Sequence, residues 1–368
     1  MTQLPPPHFS TSDQQGDDIR PLRRGWTTVA CATGAVMGAV HGLLHQECLS
    51  EIQIQLPHNT PTFSLIDVHF DKTFATASVI KDAGDDPDVT HRAKITAKIS
   101  RNETGIIFKA GEGVGTVTKE GLPLGVGEPA INLKPREMIT KNLVSVTGTD
   151  KWTVEISIEN GAVIALDTWN PRLGIVGGLS VLGTTGVVIP FSCSALIHSI
   201  HRGIDVSLAE GLTHVVGSTG KTSECVAMET LKLSEGAYLD MGDFVGGMLK
   251  YLSKNPVPLV TISGGFAKMV KLAQGNRDLH SSRSQVDFEK LSVTVAVLGG
   301  SAEQISITKN ANTALEVLQK IHNRDEGLDL VKAIAHSAKN TANSIIGSGV
   351  IVKMLISDRE GNILYQDK

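Results

Sequence analysis

The residues with the clearest chemical potential cluster in GSTGKT, positions 217 to 222. The run LTHVV before it reads as a strand, and SECVAMETLKL after it has helical apolar spacing. A turn between a strand and a helix presents unpaired N–H groups and the positive end of a helix dipole, so it can cradle an anion or a nucleotide. Gly217, Ser218, Thr219 and Gly220 are therefore candidate cofactor-binding residues, although a plain βα turn uses the same residue types. A Walker A loop does not fit, because its spacing needs glycine where Val215 stands. The next strand-like run, AYLDMGD, ends in two acids. In nucleotide-binding sheets an acid at that place accepts from the ribose hydroxyls. Asp240 suits that role, while Asp243 is either its neighbour in the site or the N-cap of FVGGMLKYL. His280, in the polar loop NRDLHSSRS on the carboxyl side of the same block, is a candidate acid or base.

A second set of candidates opens the ordered chain. RRGWTTVACATGA places Arg23 and Arg24 directly before Thr27 and Thr28, where a helix begins. Either threonine can cap that helix. Positive charge at a helix N-terminus is unfavourable unless an anion is also present, which points to a carboxylate or phosphate ligand. Other motifs carry less. GEGVG at 111–115 lacks the third glycine and the following helix of a dinucleotide fingerprint. His41 with His45, and His198 with His201, have helical pair spacing but no evident third ligand, so no metal site is expected. The four cysteines are scattered without CxxC spacing, which argues against zinc ribbons and iron–sulfur clusters and fits a reducing cytosol.

The elements that must position these residues follow from periodicity. Val29, Ala32, Val36, Val40 and Leu43 predict a helix from Thr27 to about His45. Residues 50–109 alternate and predict short, antiparallel strands. A long Gly/Pro-rich loop follows, of the kind that is usually functional, and TVEISIENGAVIALD predicts a hairpin turning at Asn160-Gly161. The uncharged stretch 174–191 holds five glycines and Pro190, which makes it buried glycine-rich backbone rather than a membrane span. Beyond it, a helix over SCSALIHSIHRGIDVSLAEG leads into alternating strands and helices, which means a parallel sheet with crossovers. Residues 311–347 read as helix, and VIVKMLISDREGNILYQ as a strand pair.

The expected fold class is therefore α/β, α+β overall. A polar lead at 1–19 precedes a mixed or antiparallel β part with helices at 20–190, and a Rossmann-like βαβ part fills 191–368. The lead lacks an apolar core and reads as disordered rather than as a signal peptide. With 41% apolar and 20% charged residues over 368 positions, the chain can bury substantial cores. Only 4% are aromatic, so those cores must rest on Val, Ile, Leu and Ala. A net charge of −4 argues against nucleic acid and requires a local basic patch for any anionic ligand.

Taken together, RRGWTTVACATGA, DVTHRAKI, GEGVGTVTKEGLPLGVGEPAINLKPREMI, LGIVGGLSVLGTTGVV, GDFVGGMLK and DLHSSRS with ANTALEVL resemble the CbiD family from about residue 20 to the end. These are the cobalt-precorrin-5B C(1)-methyltransferases of anaerobic cobalamin biosynthesis. The chain departs from the family pattern at Trp26, Val29 and Ala30, and at His91 and Arg92. The resemblance implies methyl transfer from S-adenosylmethionine, and the strand–turn–helix reading then puts that cofactor at Gly217, Ser218, Thr219 and Gly220, with its ribose at Asp240. It supplies a polyanion as well, since such macrocycles carry many acetate and propionate groups. Arg23, Arg24, Thr27, Thr28, Lys134 and Arg136 then become candidate substrate contacts, with His280 as the base. The expected partner is the cobalt-precorrin macrocycle, with no nucleic acid or membrane, no metal held by the protein, a cytoplasmic setting, and room for a homo-oligomer. Two rival readings stand beside it: a P-loop-like nucleotide hydrolase and a tetrapyrrole carrier without catalysis.

Overall fold

The computed structural model describes residues 21–322 and 329–368, so the lead at 1–19 lies outside the described residues. The chain divides into two compact units after Cys193.

The first unit is built round helix Thr28–His45. Thr27, extended at φ −73° and ψ 161°, caps it by accepting from the Ala30 N–H. Every residue from Thr28 to Val40 is buried, so the helix is enclosed on all sides. Small residues make that possible: a Cβ on Gly38 would lie 2.5 Å from the Leu65 side chain. Among the described residues it is the one helix long and apolar enough to cross a membrane, and it is a buried core helix here. It packs on a sheet ordered Ile66–Phe70, Phe74–Ile80, Lys94–Arg101, Trp152–Ile158, Ile107–Ala110. Ile95, Ala97 and Ile99 alternate with outward residues on one central strand, and Val154, Ile156 and Ile158 on the next. Each large aliphatic side chain so buried contributes about 1.5–3 kcal/mol.

Four of these strands are antiparallel, as their alternation predicts, but Ile107–Ala110 joins Trp152–Ile158 in parallel. The hairpin expected at Asn160-Gly161 does not form. Asn160 takes φ 55° and leads into the short helix Gly161–Ile164. Backbone docking decides this, since a Cβ on Gly161 would lie 2.2 Å from the Gly113 carbonyl oxygen. The Gly/Pro-rich loop also ends sooner than its composition suggests. Helix Leu133–Thr147 starts inside it, with Pro135 in the first turn, where a missing N–H is harmless. Lys134 and Arg136 therefore stand on a helical turn. The uncharged stretch contains only the two-residue strands Ile175–Val176 and Val187–Val188. It is buried only in part, with Leu182 and Ile189 about half exposed.

The second unit holds a sheet ordered Tyr238–Asp240, His214–Ser218, Leu259–Gly265, Ile351–Ser357, Ile363–Gln366. The first four strands are parallel and the last is antiparallel. The chain starts on His214–Ser218, adds Tyr238–Asp240 on one side, then crosses to Leu259–Gly265 on the other. That reversal opens a crevice at the carboxyl ends of His214–Ser218 and Leu259–Gly265, where ligands of doubly wound sheets bind. Helix Lys221–Leu231 packs with Val216, Tyr238 and Leu355 in one cluster. Helices Val245–Leu252, Phe266–Ala273 and Leu330–Ile346 share the larger core with Val215, Val260 and Ile262.

Candidate active site

In the second unit, strand His214–Ser218 ends at the turn that the sequence singles out. Gly217 is packed tight: a Cβ there would lie 2.4 Å from Met248 Sδ. Gly220 is the opposite, and a Cβ there would meet nothing within 4 Å. The Thr219 N–H donates to the Ser263 carbonyl at 3.0 Å, and Ser223 Oγ donates to the Gly220 carbonyl at 2.8 Å. These bonds hold the turn against the neighbouring strand and the start of helix Lys221–Leu231. Thr219 and Gly220 line a cavity of about 260 Å³. Phe266 and Lys268 from the next βα turn, Leu315 and Leu318 from helix Ala314–His322, and Arg359 and Leu364 from the terminal hairpin also line it. Its position is the crevice that the strand order creates. Its volume is just under the ~300–1,000 Å³ typical of small-molecule clefts.

Lys268 ties this site together. Its Nζ donates to the Thr219 carbonyl at 2.5 Å and lies 3.1 Å from Asp243 Oδ1. The Gly242 N–H donates to the Ser218 carbonyl at 3.0 Å, and Asp240 pairs in register with Ser218. Thus Ser218, Thr219, Asp240 and Asp243 come together, although neither acid lines the cavity. Asp243 is not the N-cap of the following helix: Phe244 occupies that place, and Val245 begins the helix.

His280 sits on a loop fastened beside the Asp243 turn, where the Leu279 N–H donates to the Asp243 carbonyl at 2.8 Å. The ring is exposed. Nδ1 accepts from the Ser282 N–H at 3.2 Å and lies 2.7 Å from its Oγ, so the neutral ring carries its proton on Nε2. Nearby, burial works to raise the Asp278 carboxyl. The Arg283 hydrogen bond at 2.7 Å and the His280 N–H outweigh it and hold Asp278 below the usual carboxylate range.

The opening residues of the first unit answer one another within the chain. The Arg23 guanidinium grips the Asp82 carboxylate with both of its terminal nitrogens, one of them at 2.9 Å, and its backbone N–H donates to Asp85 at 2.6 Å. The Arg23 hydrogen bond is the main reason the Asp82 carboxyl titrates below its ordinary value. This contact is possible because two backbones meet without side chains between them. A Cβ on Gly25 would lie 1.9 Å from the Ala83 carbonyl carbon.

Three of the N–H donors at the helix start are taken too. The Thr27 N–H reaches the Gly186 carbonyl at 3.0 Å, Val29 reaches Leu182 at 3.4 Å, and Ala30 reaches Thr27 Oγ1 at 3.3 Å. For Arg23, then, the anion that a cation at a helix start calls for is Asp82, with Asp85 beside it. Thr28 is buried and Arg24 is half-buried. Arg136 is held by the Ile131 carbonyl at 2.8 Å and by Glu128 at 2.7 Å, while exposed Lys134 pairs with Glu137 at 2.6 Å. Cys31, on helix Thr28–His45, is pushed up to about 12 by burial and is no nucleophile. Arg23→Ala should lower the unfolding free energy by about 1 kcal/mol, a value discounted because the pair is partly exposed. A thermal melt of the variant checks this, and an unchanged or raised midpoint would contradict it.

Sequence reasoning did not assign Lys268 or Arg359, and left Lys221 as an unassigned member of its motif. A signal existed for the first: TISGGFAKMVK repeats the strand–turn–helix pattern of the first turn, with a cation in its opening helical residues.

Comparison with known proteins decides the family. The CbiD family model matches residues 15–190, and the model described as CbiD, C-terminal domain, matches residues 278–368. The chain belongs to the CbiD family. A CbiD relative from Rhodospirillum rubrum, named cobalt-precorrin-5B C(1)-methyltransferase, is 51% identical over 354 residues, covering 95% of this chain and 98% of its own. One of the same name from Paramagnetospirillum magneticum is 49% identical over 355 residues, covering 94% and 98%. The crystal structure of a cobalamin biosynthesis protein (cbiD) from Archaeoglobus fulgidus matches with 27% identity and a TM-score of 0.39, over 71% of this chain and 83% of that one.

Proposed function

We propose that the protein methylates C-1 of cobalt-precorrin-5B in cobalamin biosynthesis, with S-adenosylmethionine as the donor. The observation that carries this is 51% identity, over 95% of the chain, to a relative named for that reaction. The cofactor supplies a methyl group already activated on a sulfonium. The chain's own task is to bind, align and exclude water. Holding two mobile reactants in near-attack geometry accounts for about 7–11 kcal/mol of barrier in such reactions.

The cofactor site proposed is the cavity at Thr219 and Gly220. Support comes from its place at the strand-order reversal and from its mixed lining, apolar at Leu315, Leu318 and Leu364 and polar at the turn. Gly217 and Ser218 fix the strand end, and Lys268 and Asp243 lock the turn, while Asp240 stands outside the cavity's lining and is not assigned the ribose. In the first unit, Arg24 and Lys134 are proposed to meet the macrocycle's carboxylates. Lys134 suits this because an exposed pair such as Lys134–Glu137 is worth little and exchanges readily for a ligand anion. The guanidiniums of Arg23 and Arg136 are occupied within the chain, and Thr27 serves as a cap. No proton transfer is assigned to His280, whose outward nitrogen carries a proton in the neutral ring. Among the described residues, no group of three or more His, Cys, Asp or Glu is arranged to hold a metal ion.

Titration of S-adenosylmethionine into the protein tests the reading. Binding is expected. Absence of binding together with turnover of ATP would favour a nucleotide hydrolase instead. Macrocycle binding without cofactor binding would leave a carrier.

A further inference from the structure

The cavity in the second unit carries an imbalance of charge. Of the charged groups on its lining, Lys268 is answered by Asp243 at 3.1 Å. The Asp358 carboxylate accepts from the Asn362 backbone N–H and side-chain amide, each at 2.7 Å, and stays a negative charge on the lining. Lys221 and Arg359 are left, and neither has an ion-pair partner among the described residues. They come from separate elements, the first turn of helix Lys221–Leu231 and the terminal hairpin, yet they line one space. A cation in the first turn of a helix also works against the helix dipole, so Lys221 is placed where packing alone gives no reason for it. The rest of the lining is different in kind: Leu315, Leu318 and Leu364 form an apolar wall. Two cations without ion-pair partners and one carboxylate, beside an apolar wall, fit a ligand with a flat body and a zwitterionic tail.

Building on the cofactor placement proposed above, we infer that Lys221 and Arg359 hold the carboxylate of the cofactor's methionine end, with the nucleoside against Leu315, Leu318 and Leu364. A guanidinium takes a carboxylate with two parallel hydrogen bonds, and an ammonium adds a point charge. The same chemistry would accept a phosphate on an adenosine, so the test must separate the two.

The experiment is calorimetric titration of three probes into the full chain: S-adenosylhomocysteine, 5′-methylthioadenosine, which keeps the adenosine and the thioether but lacks the amino-acid end, and ADP. Lys221→Met and Arg359→Met should each weaken S-adenosylhomocysteine about tenfold, the effect of one partly screened charge-assisted contact. Binding of 5′-methylthioadenosine should stay within about twofold, because that ligand has no carboxylate to lose. Added salt should narrow the gap between the two ligands in the wild-type protein. Equal weakening of both ligands, or no weakening of S-adenosylhomocysteine, would overturn the assignment. So would ADP binding more tightly than S-adenosylhomocysteine and losing affinity in the same variants, since the cations would then read phosphate. Leu318→Trp separates this inference from the placement beneath it. If that variant abolishes binding while the cation variants spare the carboxylate ligand, only the carboxylate assignment falls. If Leu318→Trp leaves S-adenosylhomocysteine binding intact, the cofactor lies elsewhere and both fall.

Discussion

Asp88→Asn should lower the unfolding free energy by about 3–5 kcal/mol, the typical loss when a buried ion pair is broken from one side. Its partner Lys81 is 1% exposed and directly follows the interior strand Phe74–Ile80, with its ammonium bonded to the Asp88 carboxylate. The other Asp88 oxygen accepts from the Thr90 N–H at 2.7 Å and from the Thr90 hydroxyl at 2.5 Å. An asparagine keeps the shape but leaves the lysine charged and unanswered inside the unit. Adding Lys81→Met should recover much of the loss, because most of it is the penalty of an unpaired charge rather than the net worth of the pair. A denaturant-unfolding cycle over the four variants measures both quantities. If the single substitution loses less than about 1 kcal/mol, the pair is effectively solvated and the account of this turn is wrong.

The same pair sets an acid limit. Burial raises the Asp88 carboxyl, but the Lys81 charge and the hydrogen bonds from Lys81 and Thr90 outweigh it, and the group titrates below its ordinary value. The stability it contributes is therefore complete above the unfolded carboxylate pKa and is lost as pH falls through the depressed folded value. Asp88→Asn should flatten that part of the stability–pH curve.

Filling the cavity should abolish cofactor binding and leave the fold in place. A Cβ at Gly220 would meet nothing within 4 Å beyond its chain neighbours, so Gly220→Val puts its side chain into room left for a ligand, at some cost in stability from strain at φ 159°. Leu364→Trp fills the same cavity from the opposite wall and leaves the backbone of the turn untouched. Each variant should weaken S-adenosylmethionine binding at least about a hundredfold, or ~2.7 kcal/mol. Thermal melts should show both folded. If both bind the cofactor as the wild type does, the cavity is not its site.

Much of the architecture was legible in the sequence for a physical reason. The parallel unit alternates strand and helix with clear turn residues, so LTHVV, PVPLVTIS and the helices between them fall where their periods put them. Helix Thr28–His45 likewise follows from its apolar spacing and its Thr27 cap. What was hidden depended on contacts distant in sequence. The helix Gly161–Ile164 replaces a hairpin because its backbone docks on Gly113, which no local propensity encodes. Helix Leu133–Thr147 was masked by the glycines and prolines before it. Helix Ala302–Lys309 was overlooked despite a sequence signal, since Ser301 and Gln304 form its capping box.

The candidate sites divide in the same way. A strand–turn–helix motif exposes Thr219 and Gly220 from sequence alone. The Lys268 bond to Thr219 and the convergence of Lys221 with Arg359 require the sheet to be assembled first. The two opening arginines suggested an anion from outside. For Arg23 the anion lies fifty-nine residues along the chain, at Asp82, and only folding brings it there.

The central claim is methyl transfer to one ring carbon, and one anaerobic incubation tests it most directly. The protein is mixed with cobalt-precorrin-5B and S-adenosylmethionine carrying a labelled methyl group, and the macrocycle is then examined by mass analysis with fragmentation. The account predicts a single labelled methyl at C-1, with transfer lost in Gly220→Val. A macrocycle recovered without label from wild-type protein that binds both ligands, or label at another ring position, would contradict it.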